Sequence, residues 1–523
     1  VKVEKEETMA WKYDTSKKRI EKYRDGLGEI TIEKLKKEAD LQTLLTPTNC
    51  REIYGAHTYV HVSNFAKLAS EEINDEDKYK GFIRMVHIYQ REVGHIVEDI
   101  FGGVRIHFQG AKVHTLFYRP IDDGGKIATK AILLQLVLKD FVKSVFNPTF
   151  KDYDNFEIAG GSDIGNAIGT KNGKNGDREL LFLGAPANYA AKIINDHGQL
   201  RLTKRVYDKL PKNLKDVCNE VSGEDDLYQV KAVSQSDLDA LLKEYDIAWD
   251  RDKSQKRLDA DLDLFKITDI KYSSATTLID IDELGIKNNK RVQAASVFGD
   301  VTGFTKYIDD ATTDTKKKEC LKNFHVIRNE MARVVTEDFE GVRVQFQGDR
   351  VQAIFHLPEN TNSDIAATAV DAAVALQSSM DKTLQDCLTG ISSLKMAAGV
   401  DMDTTLVTKL GERAHRDRIC LGKPVETAAS KEEKCDGGDI GITKAVLDEL
   451  PERLKKHFSW DKSKGCYVAS GLTTDKVTNA EKAASYNGGC ALAVVSAGAG
   501  VAVVKASEAA NARPITPPKS YGA

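Results

Sequence analysis

The sequence predicts an α+β protein of two tandem domains, each a mixed sheet backed by helices, and two observations carry that prediction. First, a long pattern occurs twice. Trp11, Asp14, Ser16, Lys18, Arg19 and Ile20 return as Trp249, Asp252, Ser254, Lys256, Arg257 and Leu258, at an offset of 249 − 11 = 238. Gly110, Gly161 and Gly184 answer Gly348, Gly399 and Gly422 at the same offset, which is far longer than any solenoid unit and therefore marks duplicated domains. Second, strand and helix patterns alternate in the same order in both copies, and a mixed sheet with helical cover is the architecture this implies.

In chain order, residues 1–49 read as a helical lead-in of spaced Ile and Leu on Lys/Glu-rich faces, ending at Thr46-Pro47. The first core domain follows over 50–232. A strand (YVHV) leads into a long helical region, and two alternating strands then meet at a Gly turn (RIHFQGAKVHTLF), the pattern of a hairpin. A helix over Lys126 to Phe146 comes next, then a strand ending in GGSD and a helix after Gly184. Residues 233–290 are a polar, acidic helical lead-in to the second copy. The second core, 291–470, repeats the order: ASVF, the hairpin RVQFQGDRVQAIF, a helix over Ser363 to Leu384, a strand ending in AGVD, and a helix after Gly422. Residues 471–523 read as a mobile Ala/Gly-rich tail. The opening valine suggests that an initiating methionine is missing from the numbering.

Composition narrows the function classes. Lys and Arg number 75 against 79 Asp and Glu, a net charge of −4 with no case for a general nucleic-acid binder. The eight cysteines form no CxxC pair, which suits a reducing cytosol. No apolar run is long enough to span a membrane; the nearest, Ala491 to Val504, is too short and rich in Gly and Ala.

The two copies differ where chemistry would sit. In the second, SVFGDVTGFT ends a strand with Asp300 just before a Gly turn into a helix, and FQGDRV puts Asp349 at a hairpin tip. Each residue has a plain structural role open to it, Asp300 as a helix cap and Asp349 as a turn residue. Together they form a carboxylate pair suited to Mg²⁺ or Mn²⁺ carrying a triphosphate, with the backbone N–H groups of the 301–305 turn as a phosphate cradle. Matching Phe65 to Phe304 sets His61 opposite Asp300, and the main offset sets Ala111 opposite Asp349. The hairpin does not need its carboxylate for shape, and that weighs toward chemistry.

FGDVTGFT, the QGD hairpin, AAGVD and LGKPVETAA resemble the class III nucleotide cyclases. The likeness spans both core domains and implies two cyclase-like domains packed head to tail within one chain, a pseudo-symmetric intrachain heterodimer. It further implies two divalent cations on Asp300 and Asp349, with the Val301 carbonyl as a further ligand. Phe304 and Thr305 would lie against the substrate. The family's Asn falls on Asn188 in the first copy and Glu426 in the second, and its Arg falls on Lys192 and Ser430. One composite site thus holds Asp300, Asp349, Asn188 and Lys192; its mirror holds His61, Ala111, Glu426 and Ser430. Lysine keeps the charge of the family's arginine but loses its planar fork.

The family reads the base at the positions of His107 and Leu181, which match neither the adenine nor the guanine pair. The nearest resemblance is to the bacterial pyrimidine cyclases of the Pycsar anti-phage systems, whose cyclic nucleotide product acts on a separate effector protein. UTP is the expected substrate. A cytidylate or purine cyclase, and a nucleotide sensor without turnover, remain as alternatives. The resemblance implies neither a nucleic-acid partner nor stable membrane insertion.

Overall fold

The computed structural model describes residues 10–478, apart from 72–74, 173–178, 196 and 413–415. The expected mobile tail, Ala491 to Val504 included, lies almost wholly outside the described residues.

Each domain is built on a nine-stranded mixed sheet. The first comprises β1 (Thr31–Lys34), β2 (Asn49–Val62), β3 (Val104–Gln109), β4 (Lys112–Phe117), β5 (Ile158–Asn172), β6 (Glu179–Leu183), β7 (Leu200–Thr203), β8 (Cys218–Glu220) and β9 (Leu227–Val230). Its order is β3-β4-β2-β5-β7-β9-β8, with β1 added to β2 and β6 to β5. The second comprises β10 (Tyr272–Ser273), β11 (Asn289–Thr302), β12 (Val342–Gln347), β13 (Arg350–Phe355), β14 (Lys395–Leu410), β15 (Asp417–Leu421), β16 (Asp439–Ile442), β17 (Ser459–Asp461) and β18 (Cys466–Ser470), in the same arrangement. Among the described residues only β1–β2 and β5–β7, with their counterparts β10–β11 and β14–β16, run parallel.

The helices expected over Lys126 to Phe146 and Ser363 to Leu384 are present as Gly124–Phe141 and Asn362–Ser378, each extended by a wider π turn. The first lead-in differs from its expected all-helical form. Its helix stops at Gly26, and Thr31–Lys34 joins the sheet as β1. Gly26 and Gly28 break the helical run, and the β-branched pair Thr31 and Ile32 favours the pleat.

The lead-in helices cross over. Helix Tyr13–Gly26 packs on the second domain, where Arg19 Nε and Nη2 donate to both oxygens of Glu330 at 2.6 Å and Ser16 Oγ donates to Oε1 at 2.7 Å. Helix Arg251–Leu264 packs on the first domain in the same way, Arg257 and Ser254 donating to Glu92 at 2.7 and 2.5 Å. The two acceptors lie 330 − 92 = 238 residues apart. The repeated Trp-Asp-Ser-Lys-Arg motif is thus the sequence of a reciprocal clasp.

Candidate functional site

Strand register ties the two copies together residue by residue. Tyr59 faces Gly161 across β2–β5, and Phe298 faces Gly399 across β11–β14; two residues on, His61 faces Ala159 and Asp300 faces Ala397. His61 and Asp300 are therefore equivalent positions. Gly161 is required where it stands, because a Cβ there would come within 2.2 Å of the Ala190 carbonyl; the same holds for Gly399 against Ala428. These contacts seat helix Ala185–Lys192, which carries Asn188, directly on β5.

Asp300 lies near the end of β11, and Asp349 at the tip joining β12 to β13. Burial raises the Asp349 carboxyl well above the usual carboxylate range, and the nearby Asp300 charge raises it further. Two carboxylates that destabilise one another's charge are a donor set that fits a divalent cation. After Asp300 the chain turns at Gly303, whose φ of 90° favours glycine, into helix Phe304–Asp309. This helix is short, so any anion binding rests on the free N–H groups of its first turn rather than on an extended dipole.

The first domain reaches this turn from across the interface. Asn188 Nδ2 approaches Thr305 Oγ1 at 3.4 Å. Lys192 is exposed in the last turn of the same helix, its Nζ 5.7 Å from the Tyr189 ring centroid, and its charge partly offsets the upward shift that burial imposes on Asp309. Arg205 also lies over that ring, 5.4 Å from its centroid, while paired to the buried Asp163. Beside this junction opens a cleft of about 280 Å³, lined among others by Gly184, Ala185, Asp309 and Lys317. The structure thus brings Asp300 to Asp349 and Asn188 to Thr305. The side chains of Val301, Phe304 and Leu181 are buried, 1%, 6% and 6% exposed, in the apolar cluster that crosses the interface. Phe304 stacks on Phe324 at 4.9 Å.

At the mirror position Ala111 is buried, and burial pulls the His61 imidazole down to about 3 and pushes the Glu426 carboxyl up. Lys112 beside them is brought down to about 7, first by burial and then by the charge of Arg350.

His107 lies on β3 beside Gln109, whose Nε2 is 2.9 Å from its own Nε2, and burial lowers its imidazole to about 4. Around it is a charged cluster that the motifs did not single out. Glu179 of β6 accepts from Arg328 of the second domain at 2.6 Å and from Arg343 at 3.4 Å. A signal was present in the sequence, since position 328 carries Arg where the first copy has Gln90 (328 − 90 = 238). Among the described residues no group of three or more His, Cys, Asp or Glu forms a metal cluster, and no helix is long and apolar enough to cross a membrane. Seven cysteines among them are buried.

No protein-family model matches the chain. A uridylate cyclase from Pseudomonas aeruginosa is 28% identical over 466 residues, covering 86% of this chain and 88% of that protein. A uridylate cyclase from a Rhizobium species is 27% identical over 458 residues, covering 82% and 84%. Among solved structures, a class III adenylyl cyclase-like ATP-binding protein from Pseudomonas aeruginosa matches with a TM-score of 0.78 and 24% identity, over 91% of this chain and 100% of its own.

Proposed function

From a chain with the tandem class III cyclase fold, similar over most of its length to uridylate cyclases, we propose a nucleotide cyclase that converts UTP to 3′,5′-cyclic UMP and pyrophosphate. The observation that carries the reading is the asymmetry of its two composite sites. The carboxylates of Asp300 and Asp349 share one site with Asn188 of the opposite domain, while the mirror has His61, Ala111 and Glu426 in their places.

Asp300 and Asp349 would hold two Mg²⁺ or Mn²⁺ ions, with the Val301 carbonyl as a further ligand. Bound there, the ions supply acidification of the ribose 3′-OH and neutralisation of the triphosphate. The 3′-oxygen attacks the α-phosphorus, its proton passes to solvent, and the bond to the β-bridging oxygen breaks to release pyrophosphate. Asn188 orients the ribose against the turn of the other domain. Lys192, exposed at the end of its helix, swings its ammonium to the α-phosphate as charge builds there. Backbone N–H groups at Phe304 and Thr305 face the phosphates. The product would serve as a second messenger for a separate effector protein, in a cytoplasmic anti-phage response.

A sensor that binds nucleotide without turnover is the competing reading, favoured by a lysine in place of a forked arginine. Incubating the chain with each of the four ribonucleoside triphosphates and Mn²⁺, then identifying the cyclic product by mass, separates them. Cyclic UMP as the main product supports the proposal. Cyclic CMP or a cyclic purine nucleotide overturns the substrate, and no product with any of the four overturns the enzyme.

A further inference from the structure

The interface carries an asymmetry beyond the carboxylates. Arg343 with Glu179 recurs as Arg105 with Asp417, both partners displaced by 238, so that pair belongs to each half of the interface. Arg328 does not recur. Its counterpart Gln90 donates to the Gly110 carbonyl at 2.7 Å within its own domain. Arg328 is 1% exposed, lays its guanidinium over the Phe346 ring at 4.1 Å, and gives Nη2 to Glu179. Its Nε and Nη1, both buried, meet no acceptor among the described residues. Buried donors are rarely left unmet, and here two sit on one cation. The charge of Arg328 helps to hold the His107 imidazole low, and that of Asp349 helps to hold the guanidinium protonated.

We propose that Arg328 determines base specificity, its unused Nε and Nη1 donating to a carbonyl oxygen of a pyrimidine base while Glu179 holds the guanidinium in plane. The inference rests on the cyclase reading above and deepens it. Arginine can only donate. Uracil carries a carbonyl at C4, where cytosine carries an amino group, and adenine has no carbonyl at all. An arginine facing that position therefore meets an acceptor in UTP and a like donor in CTP or ATP, an attraction and a repulsion acting in the same direction. Guanine does offer a carbonyl. GTP is therefore a separate arm of the test.

The test is kcat/KM for UTP, CTP, GTP and ATP with Mn²⁺, for the full chain and for Arg328→Gln and Arg328→Lys. Glutamine is what the other copy carries at this position and can present either a donor or an acceptor. The unmodified chain should prefer UTP, and Arg328→Gln should lower the UTP:CTP ratio at least about tenfold. Arg328→Lys, which keeps the charge opposite Glu179, should lower it less, and it carries the test if the glutamine variant does not fold. Equal losses for UTP and CTP in the variants, with the ratio unchanged, would reduce Arg328 to a structural residue and overturn the inference. A preference of the unmodified chain for CTP, ATP or GTP overturns it too while leaving cyclase chemistry standing. With no turnover at all the cyclase reading fails, and the ratio of UTP to CTP dissociation constants then decides the role of Arg328 by the same criterion.

Discussion

Arg105 donates from Nη1 to Asp417 Oδ2 across the domain interface at 2.8 Å, and 238 residues further along Arg343 meets Glu179 in the same way. The contact is repeated because it serves assembly, which both halves of the interface need. Residues that break the symmetry are then the ones to ask about chemistry.

Asp300→Ala and Asp349→Ala should each lower cyclase activity at least about a thousandfold, because on the proposed mechanism this pair would hold the cations that acidify the 3′-OH. His61→Ala and Glu426→Ala should stay within about threefold. Activity assays beside circular dichroism check both, and equal damage at the mirror positions would sink the one-site reading. Without divalent cation, Asp349→Asn should melt no lower than the parent, since it removes a buried carboxyl whose ionisation burial, and then Asp300, disfavour.

Lys192→Ala should lower kcat about ten- to a hundredfold at unchanged melting temperature, because an exposed side chain contributes little to packing. Lys192→Arg should retain activity or raise it, the planar fork offering two parallel bonds to phosphate. Steady-state kinetics of the two variants decide this.

Arg19→Ala leaves Glu330, a buried acceptor, without its forked partner, at a cost of about 3–5 kcal/mol. A fall of about 6 °C or more in melting temperature follows. Arg257→Ala should cost less, since that side chain is a third exposed. Fragments 1–232 and 248–478 should each be inactive and regain turnover on mixing, each bringing the helix that covers the other. Robust activity from one fragment alone would contradict the composite site.

The buried imidazoles should make acid destabilising between pH 6.5 and about 4, offset in part by the buried carboxyls of Asp417, raised to about 6, and Glu426, which bind protons more readily folded than unfolded. Burial lowers His57, His61, His87 and His325 to about 3 and His107 to about 4. Each folded-state pKa lies below the unfolded value near 6.5, so the unfolded chain binds more protons in this window and stability falls with pH. At pH 5.5 the loss is on the order of 1 kcal/mol per imidazole. Thermal melts from pH 7.5 down to 4.5 should show it, and a flat profile would rule it out.

Much of the fold could be read from the chain because duplication writes each element twice. The hairpin turns, the two long helices and the opposition of His61 to Asp300 all followed from comparing copies, and strand register agrees with that opposition. The crossing of the lead-in helices could not be read, because a repeated Ser and Arg say that a contact recurs but not which domain accepts it. Glu179 and Arg328 were missed for a related reason. Their pairing spans 149 residues, and a strand glutamate with a helix arginine looks like any surface pair until burial is known. Thr31–Lys34 was lost to a helical pattern because four residues pair with β2 only once the sheet exists.

The crossed clasp also sets an order of events during synthesis. Helix Tyr13–Gly26 leaves the ribosome long before its acceptor Glu330, which is made more than three hundred residues later. The first domain, in turn, waits for Arg251–Leu264 to cover Glu92. A nascent first half therefore keeps its Glu92 face open until residue 264 is made, and its own lead-in helix undocked until residue 330. A chain interrupted before residue 251 leaves the Glu92 face and the first lead-in helix both uncovered, open to non-native contacts.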